Sequence, residues 1–201
     1  MTSDRTDPHA SLRPDCADCF GLCCVALSFA ASADFAFDKD PGEPCTHLRP
    51  DYGCGIHARL RTSGFKGCSV FDCFGAGQRV AQGTYGGRDW RSTPDVAEEM
   101  FAVFHLLRQL HELLWHLTHA SDRAASPALA AELAAARAQT ELVAAGSPDE
   151  ILTFDVASHR RGVQDLLSRT SQEARAVAVR PGRRRSLPER VGPRADLVGA
   201  P

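Results

Sequence analysis

Val103-Phe104-His105-Leu106-Leu107-Arg108-Gln109-Leu110-His111-Glu112-Leu113-Leu114-Trp115-His116-Leu117 carries its apolar residues at three- and four-residue steps. Val103, Leu106, Leu107, Leu110, Leu113, Leu114 and Leu117 therefore fall on one stripe of a helix. Upstream, Thr93-Pro94-Asp95 supplies an N-cap residue, a proline suited to the first helical position and an acid that favours the helix dipole. The sequence thus predicts a helix from Pro94 to about His119. Downstream, Ser126-Pro127 repeats the start pattern, Ala128 to Ala145 reads as a helix stopped by Gly146, and Ser147-Pro148-Asp149-Glu150 forms a capping box. A third helical region runs from Ile151 to about Val179, with a weak point at Gly162. The short connections predict an antiparallel helical hairpin or bundle over residues 93–179, and a mainly α fold.

Before this helix the character of the chain is different. All eight cysteines of the 201 residues lie between Cys16 and Cys73, making that window about 14% cysteine, and none follows it. This exceeds the roughly 8–10% that marks a cysteine-scaffolded segment. Residues 15–92 are rich in Cys, Gly and Asp, with apolar runs too short for long elements. They are expected to form a small loop domain in which bound metal replaces a large core. Residues 1–14, polar with two prolines, are expected to be a disordered tail. Residues 180–201, with Arg183-Arg184-Arg185 and one pentapeptide-like unit at Ala195-Asp196-Leu197-Val198-Gly199, are expected to be another.

Charge and hydropathy narrow the function classes. Twenty-three basic against twenty-five acidic side chains leave a net charge of −2, which argues against a nucleic-acid partner. The opening from Met1 to His9 has no apolar stretch, so no signal peptide and a cytoplasmic location are expected. In such a reducing compartment clustered cysteines more often bind metal or do redox chemistry than form structural disulfides. The segment from Met100 to Leu117 is broken by His105, Arg108, Gln109, His111, Glu112 and His116, each costly in lipid, so no membrane span is expected. Of the bases, 21 are Arg and two are Lys (Lys39 and Lys66), a bias read as compositional.

The cysteine spacing is Cys16-x2-Cys19-x3-Cys23-Cys24, then Cys45, Cys54, Cys68 and Cys73. A C-x2-C pair lets two thiolates reach one tetrahedral centre, and four thiolates complete a zinc or iron–sulfur site. Eight would satisfy two centres. With Cys16 and Cys19 anchoring one and Cys68 and Cys73 the other, the adjacent Cys23 and Cys24 would divide between them. His57 is a candidate further ligand, as is His47. Other patterns carry less. His111-Glu112-Leu113-Leu114-Trp115-His116 fails as a zinc-protease motif because the second histidine falls at i+5 rather than i+4. His105, Gln109, Glu112, His116 and His119 share a helical face opposite the leucines and read as an exposed polar stripe. Gly75-x-Gly77 lacks the third glycine of a dinucleotide loop, and Trp90 and Trp115 read as packing residues.

Cys16-Ala17-Asp18-Cys19-Phe20-Gly21-Leu22-Cys23-Cys24, Cys45-Thr46-His47-Leu48, Cys54-Gly55-Ile56-His57, Arg59-Leu60 and Cys68-Ser69-Val70-Phe71-Asp72-Cys73 resemble the bacterial zinc- or iron-chelating domain named for its CxxCxxCC motif. The resemblance covers about residues 14–75. Three residues (Phe20, Gly21, Leu22) stand here where that family has two, and His57 stands where it often has tyrosine. The wider layout adds Phe74-Gly75-Ala76-Gly77-Gln78, Gly86-Gly87-Arg88-Asp89-Trp90-Arg91 and Arg108-Gln109-Leu110-His111-Glu112-Leu113-Leu114. It resembles the N-terminal region of bacterial pentapeptide-repeat-containing proteins, which would make Ala195 to Gly199 a first repeat. The residues point to a cysteine-ligated zinc or iron–sulfur protein acting as a binding or structural module, with a protein partner docking on the helices. An iron–sulfur redox or sensor protein is the alternative. The resemblance implies a third class, a protein N-methylase-like enzyme, because some members of the CxxCxxCC family methylate flagellin.

Overall fold

The structure, a computed structural model, describes Asp7 and residues 9–178. Arg183-Arg184-Arg185 and the pentapeptide-like unit at Ala195 to Gly199 lie outside the described residues. Within them the fold is mainly α, as expected. The α-helices are α1 (Leu22–Val25), α2 (Lys66–Val70), α3 (Ala76–Gln78), α4 (Ala97–Ser121), α5 (Pro127–Ala144), α6 (Pro148–Thr153) and α7 (Val156–Ala178). Extended pairing among the described residues is confined to two isolated antiparallel bridges, Phe29 with Lys39 and Leu48 with Cys54.

Helix α4 is the axis of the molecule, packing against α5, α6 and α7 and against α1 and α3. Its leucine stripe explains why: Val103, Leu107, Leu110, Leu113, Leu114 and Leu117 are all buried. The start differs from expectation. Pro94–Val96 form a 3-10 turn, and Thr93 gives its hydroxyl to the Asp89 carbonyl instead of capping. Ser126 does cap α5, accepting from the Leu129 N–H at 3.3 Å. The Ser147–Glu150 capping box opens α6. The third helical region breaks at Phe154 and Asp155, not at Gly162. Phe154 is extended, and the Asp155 carboxylate accepts from the Ser158 N–H at 2.9 Å, restarting the chain as α7. Gly162 remains helical because an exposed position there costs only the glycine backbone entropy. Salt bridges from Arg160 to Glu112 and from Arg169 to Glu132 tie α7 to α4 and α5.

The cysteine-rich segment has a small aromatic cluster of Phe29, Phe35, Phe37 and Phe65 and shares the larger core with α4. Leu12, Leu22, Val25, Ala76, Val80 and Tyr85 join Met100, Val103, Phe104, Leu107 and Leu110 of α4 in one apolar cluster. A second cluster joins Leu113 and Leu117 to Leu129, Leu133 and Val163. The change of composition near residue 92 is therefore not a boundary in packing. Residues 9–14, expected in a disordered tail, are ordered by the same core. Ala10–Leu12 form a 3-10 turn, Leu12 is buried, and His9 stacks between Trp115 and His119. The polar stripe of α4 is correspondingly engaged: His105 meets the Ala26 carbonyl at 3.2 Å, and Glu112 pairs with Arg108 and Arg160.

Candidate metal centre

Each cysteine is held by a short local device. Cys23 and Cys24 sit in α1, whose Leu22 and Val25 side chains enter the core, with Cys23 packed against its edge. The turn into α1 is made by Gly21, at φ +65°, where a Cβ would meet Leu48 Cδ1 at 2.7 Å and the Tyr52 carbonyl at 3.0 Å. Only glycine fits the three-residue spacer there. Residues 13–20 are latched from behind by Gln78 Nε2 to the Arg13 carbonyl, Gln82 Nε2 to the Asp18 carbonyl and Trp90 Nε1 to the Phe20 carbonyl. Cys45 follows the loop closed by its own N–H on the Cys24 carbonyl at 2.8 Å. Cys54 is bridged to Leu48, Cys68 lies in α2, and Cys73 precedes the left-handed pair Phe74 (φ 50°) and Gly75 (φ 75°).

The strained residues beside the cysteines are pinned from elsewhere. Tyr52 (φ 62°) gives its hydroxyl to Asp89, and the Arg91 guanidinium lies 4.4 Å from its ring while bonding the Pro50 and Arg49 carbonyls. The Ser92 hydroxyl, then Tyr52, hold the Asp89 carboxyl well below the usual carboxylate range. Burial and Asp89 push the Tyr52 phenol up to about 12. At Phe74, the carbonyl accepts from His111 Nδ1 at 2.7 Å, reaching from the centre of α4. Burial lowers the His111 pKa, so a neutral ring with its proton on Nδ1 fits this bond.

All eight cysteines are free thiols, and each feels the charge of others in the segment. Cys16, Cys19 and Cys23 each feel Cys73, Cys23 is hydrogen-bonded to Cys24, and Cys16 also feels Cys24 and Cys54. Cys45, Cys54 and Cys68 each face Cys24, and Cys68 also faces Cys45 and Cys54. The sulfurs of the adjacent Cys23 and Cys24 lie 3.9 Å apart. Burial pushes Cys19 and Cys68 each up to about 11 and raises Cys16, Cys45 and Cys54. Of the vicinal pair, Cys23 is raised as donor to Cys24, and Cys24 is lowered by that bond and by Lys39. Backbone N–H groups favour thiolate at three positions: Leu22 and Gly21 on the Cys19 sulfur, His47 on Cys45 and Ile56 on Cys54. Such bonds to sulfur are what tune a metal thiolate. Among the described residues, no three His, Cys, Asp or Glu side chains converge to the distances that hold an ion as they stand.

The histidines stand apart. His57 is exposed in the His57–Arg59 3-10 turn, and His47 packs edge-on against Phe65. Sequence reasoning missed Lys39, Tyr52, Asp89, Arg91 and His111 as supports. The one usable sign was Lys39 itself, a rare lysine among 21 arginines, buried beside Cys24 and Cys45.

A mainly helical protein with eight free thiols in the loops ahead of its central helix is thus the class in hand. No family model and no solved structure matches the chain. It belongs to the family of the Bacillus subtilis (strain 168) protein "Uncharacterized protein YybG", with 46% identity over 192 residues, 96% of this chain and 67% of that protein. Among the described residues no helix is long and apolar enough to cross a membrane.

Proposed function

We propose that the chain is a cytoplasmic metal-binding protein that holds zinc or iron–sulfur centres through cysteine and acts as a binding or structural module. The eight cysteines Cys16, Cys19, Cys23, Cys24, Cys45, Cys54, Cys68 and Cys73 would supply four thiolates to each of two centres. The observation that supports this reading is the gathering of eight free thiols, drawn from separate turns, within one another's electrostatic reach and with N–H donors at three sulfurs. Soft thiolates suit both zinc and iron–sulfur chemistry. Loading the centres would release protons from thiols that burial has raised. The centres would pin the loops onto α4, leaving the outer helical faces for a protein partner. The resemblance to the N-terminal region of pentapeptide-repeat-containing proteins belongs to the same reading, in which the chain carries one repeat-like unit and not a repeat domain.

The test is anaerobic purification from zinc- and iron-supplemented cultures, with elemental analysis and a visible spectrum. One ion or cluster per four-thiol set is expected, with loss on each Cys→Ser change and none on His57→Ala. A metal-free protein whose fold is indifferent to those changes would refute the proposal.

A further inference from the structure

Cys23 and Cys24 are neighbours both in the chain and in space. Their sulfurs lie 3.9 Å apart, one thiol donating to the other, and both residues are half-buried, within reach of a small reagent. The backbone beneath them is fixed from two sides. Leu22 and Val25, which flank the pair in α1, are fully buried in the core that α4 shares. The Cys24 N–H donates to the Gly21 carbonyl at 2.8 Å and the Ala26 N–H to the Leu22 carbonyl at 2.8 Å, which keeps the turn helical. From the other side, the Cys45 N–H donates to the Cys24 carbonyl at 2.8 Å and the Gly42 N–H to the Val25 carbonyl at 2.9 Å. The buried Lys39 adds its Nζ to that Val25 carbonyl at 3.1 Å, and holds the carbonyls of Leu27 at 2.5 Å and Asp40 at 2.9 Å with its other protons.

This geometry obstructs one reaction and suits another. A disulfide needs its sulfurs about 2.05 Å apart and its Cα atoms roughly 4.4–6.8 Å apart, whereas Cα atoms joined by one trans peptide are about 3.8 Å apart. Closing Cys23 on Cys24 would force their peptide out of the helix and drag at Leu22 and Val25. An atom that bonds both sulfurs asks for no such change, because two bonds about as long as the roughly 2.3 Å zinc–thiolate bond reach across 3.9 Å. Two thiols meet here, and among the described residues no group of three His, Cys, Asp or Glu side chains is placed to hold an ion. The ready-made site therefore fits a centre that takes two ligands from the protein. A monosubstituted trivalent arsenical is such a centre, its third bond being to carbon. Its two As–O bonds and the two S–H bonds are exchanged for two As–S bonds and two molecules of water, with no change of oxidation state. We propose that Cys23 and Cys24 form a dithiol site for monosubstituted trivalent arsenicals, which α1 protects from oxidation to its own disulfide. The inference goes beyond the metal-binding reading and needs no four-thiol centre.

The test uses the full chain, purified anaerobically with a phosphine reductant, and phenylarsine oxide as the probe. Less than one equivalent is added, the remaining thiols are alkylated, and the sites are mapped by mass spectrometry. Cys23 and Cys24 should escape alkylation together, in an adduct that survives excess monothiol and is removed by a 1,2-dithiol. Cys23→Ser and Cys24→Ser should each lose that adduct and leave the other thiol of the pair open to alkylation, whereas Cys16→Ser should keep it. With glutathione disulfide in place of the arsenical, no bond between Cys23 and Cys24 should form. A first equivalent captured by any other cysteines, or a Cys23–Cys24 disulfide, would overturn the proposal. Circular dichroism checks folding, and the wild-type map decides should a variant unfold. A chain that holds neither zinc nor iron yet takes the arsenical here refutes the metal centres and supports the dithiol site; a metal-loaded chain whose arsenical lands elsewhere does the reverse.

Discussion

Gly21 shows how one residue without a side chain settles where several thiols stand. Its left-handed turn and the close approach of Leu48 and Tyr52 leave no room for a methyl group. Gly21→Ala should therefore destabilise the protein by more than about 1 kcal/mol, since left-handed backbone alone costs an L-residue roughly 1–2 kcal/mol; a denaturant midpoint equal to the parent's would contradict this. A second residue-scale outcome concerns protons. Burial lowers the pKa of His159, whose Nε2 meets the Thr140 hydroxyl at 2.7 Å, and burial lowers His111 in the same direction. Below the ordinary histidine value of about 6.5 the unfolded chain takes up protons that the folded chain resists. Stability should be full above that value and should fall as pH drops through it toward the folded values. Thermal melts from about pH 7 down to about pH 5 check the slope, and His159→Asn should flatten part of it. None of this was legible beforehand. Tyr52 and Asp89 lie 37 residues apart, as do Phe74 and His111, and no local pattern announces a bond across such a separation.

Elements were far easier to read, because periodicity and caps are local. The α4 stripe, the Ser126 cap and the Ser147–Glu150 box all follow from neighbours within one or two turns. Leu110 is fully buried, so Leu110→Asp should cost about 4 kcal/mol or more by placing a lone charge in the core. His105→Ala removes one bond from an exposed ring and should cost no more than about 1 kcal/mol. Equal melting temperatures for Leu110→Asp and the parent would mean that the wrong face has been assigned. Gly162, exposed within α7 with open space around it, offers the opposite sign. Gly162→Ala should raise stability by roughly 0.5–1 kcal/mol, and a lower melting temperature would show that the helix does not run through it. The misread break has a physical cause. Helix propensity disfavours Gly162, but the Asp155 side chain supplies a new N-terminus seven residues earlier, and a satisfied cap outweighs a tolerated glycine.

Composition divides the molecule at about residue 92, and packing does not. The first half reads as a unit in which metal replaces a large core because its apolar residues are scattered. Some of them, such as Leu22, Val25 and Val80, enter the core built around α4, and others, Phe29, Phe35, Phe37 and Phe65, pack on one another. Removing metal under reducing conditions should accordingly lower the melting temperature of the whole chain in a single transition, seen alike by circular dichroism and by amide exchange in α4. Loss of the first half with the helices unmoved would separate the two again. The shared core also sets an order of events during synthesis. The chain emerges N-terminus first at roughly 5–20 residues per second, so Leu110 is made roughly 5–20 s after Cys16, which lies 94 positions earlier, and roughly 2–7 s after Cys73, 37 positions earlier. The first cysteines therefore leave the ribosome while the helix they will lie beside is still being made. Nascent thiols therefore meet metal ions, glutathione and oxidants as an open chain. Whatever they capture on the ribosome is what α4 later closes over.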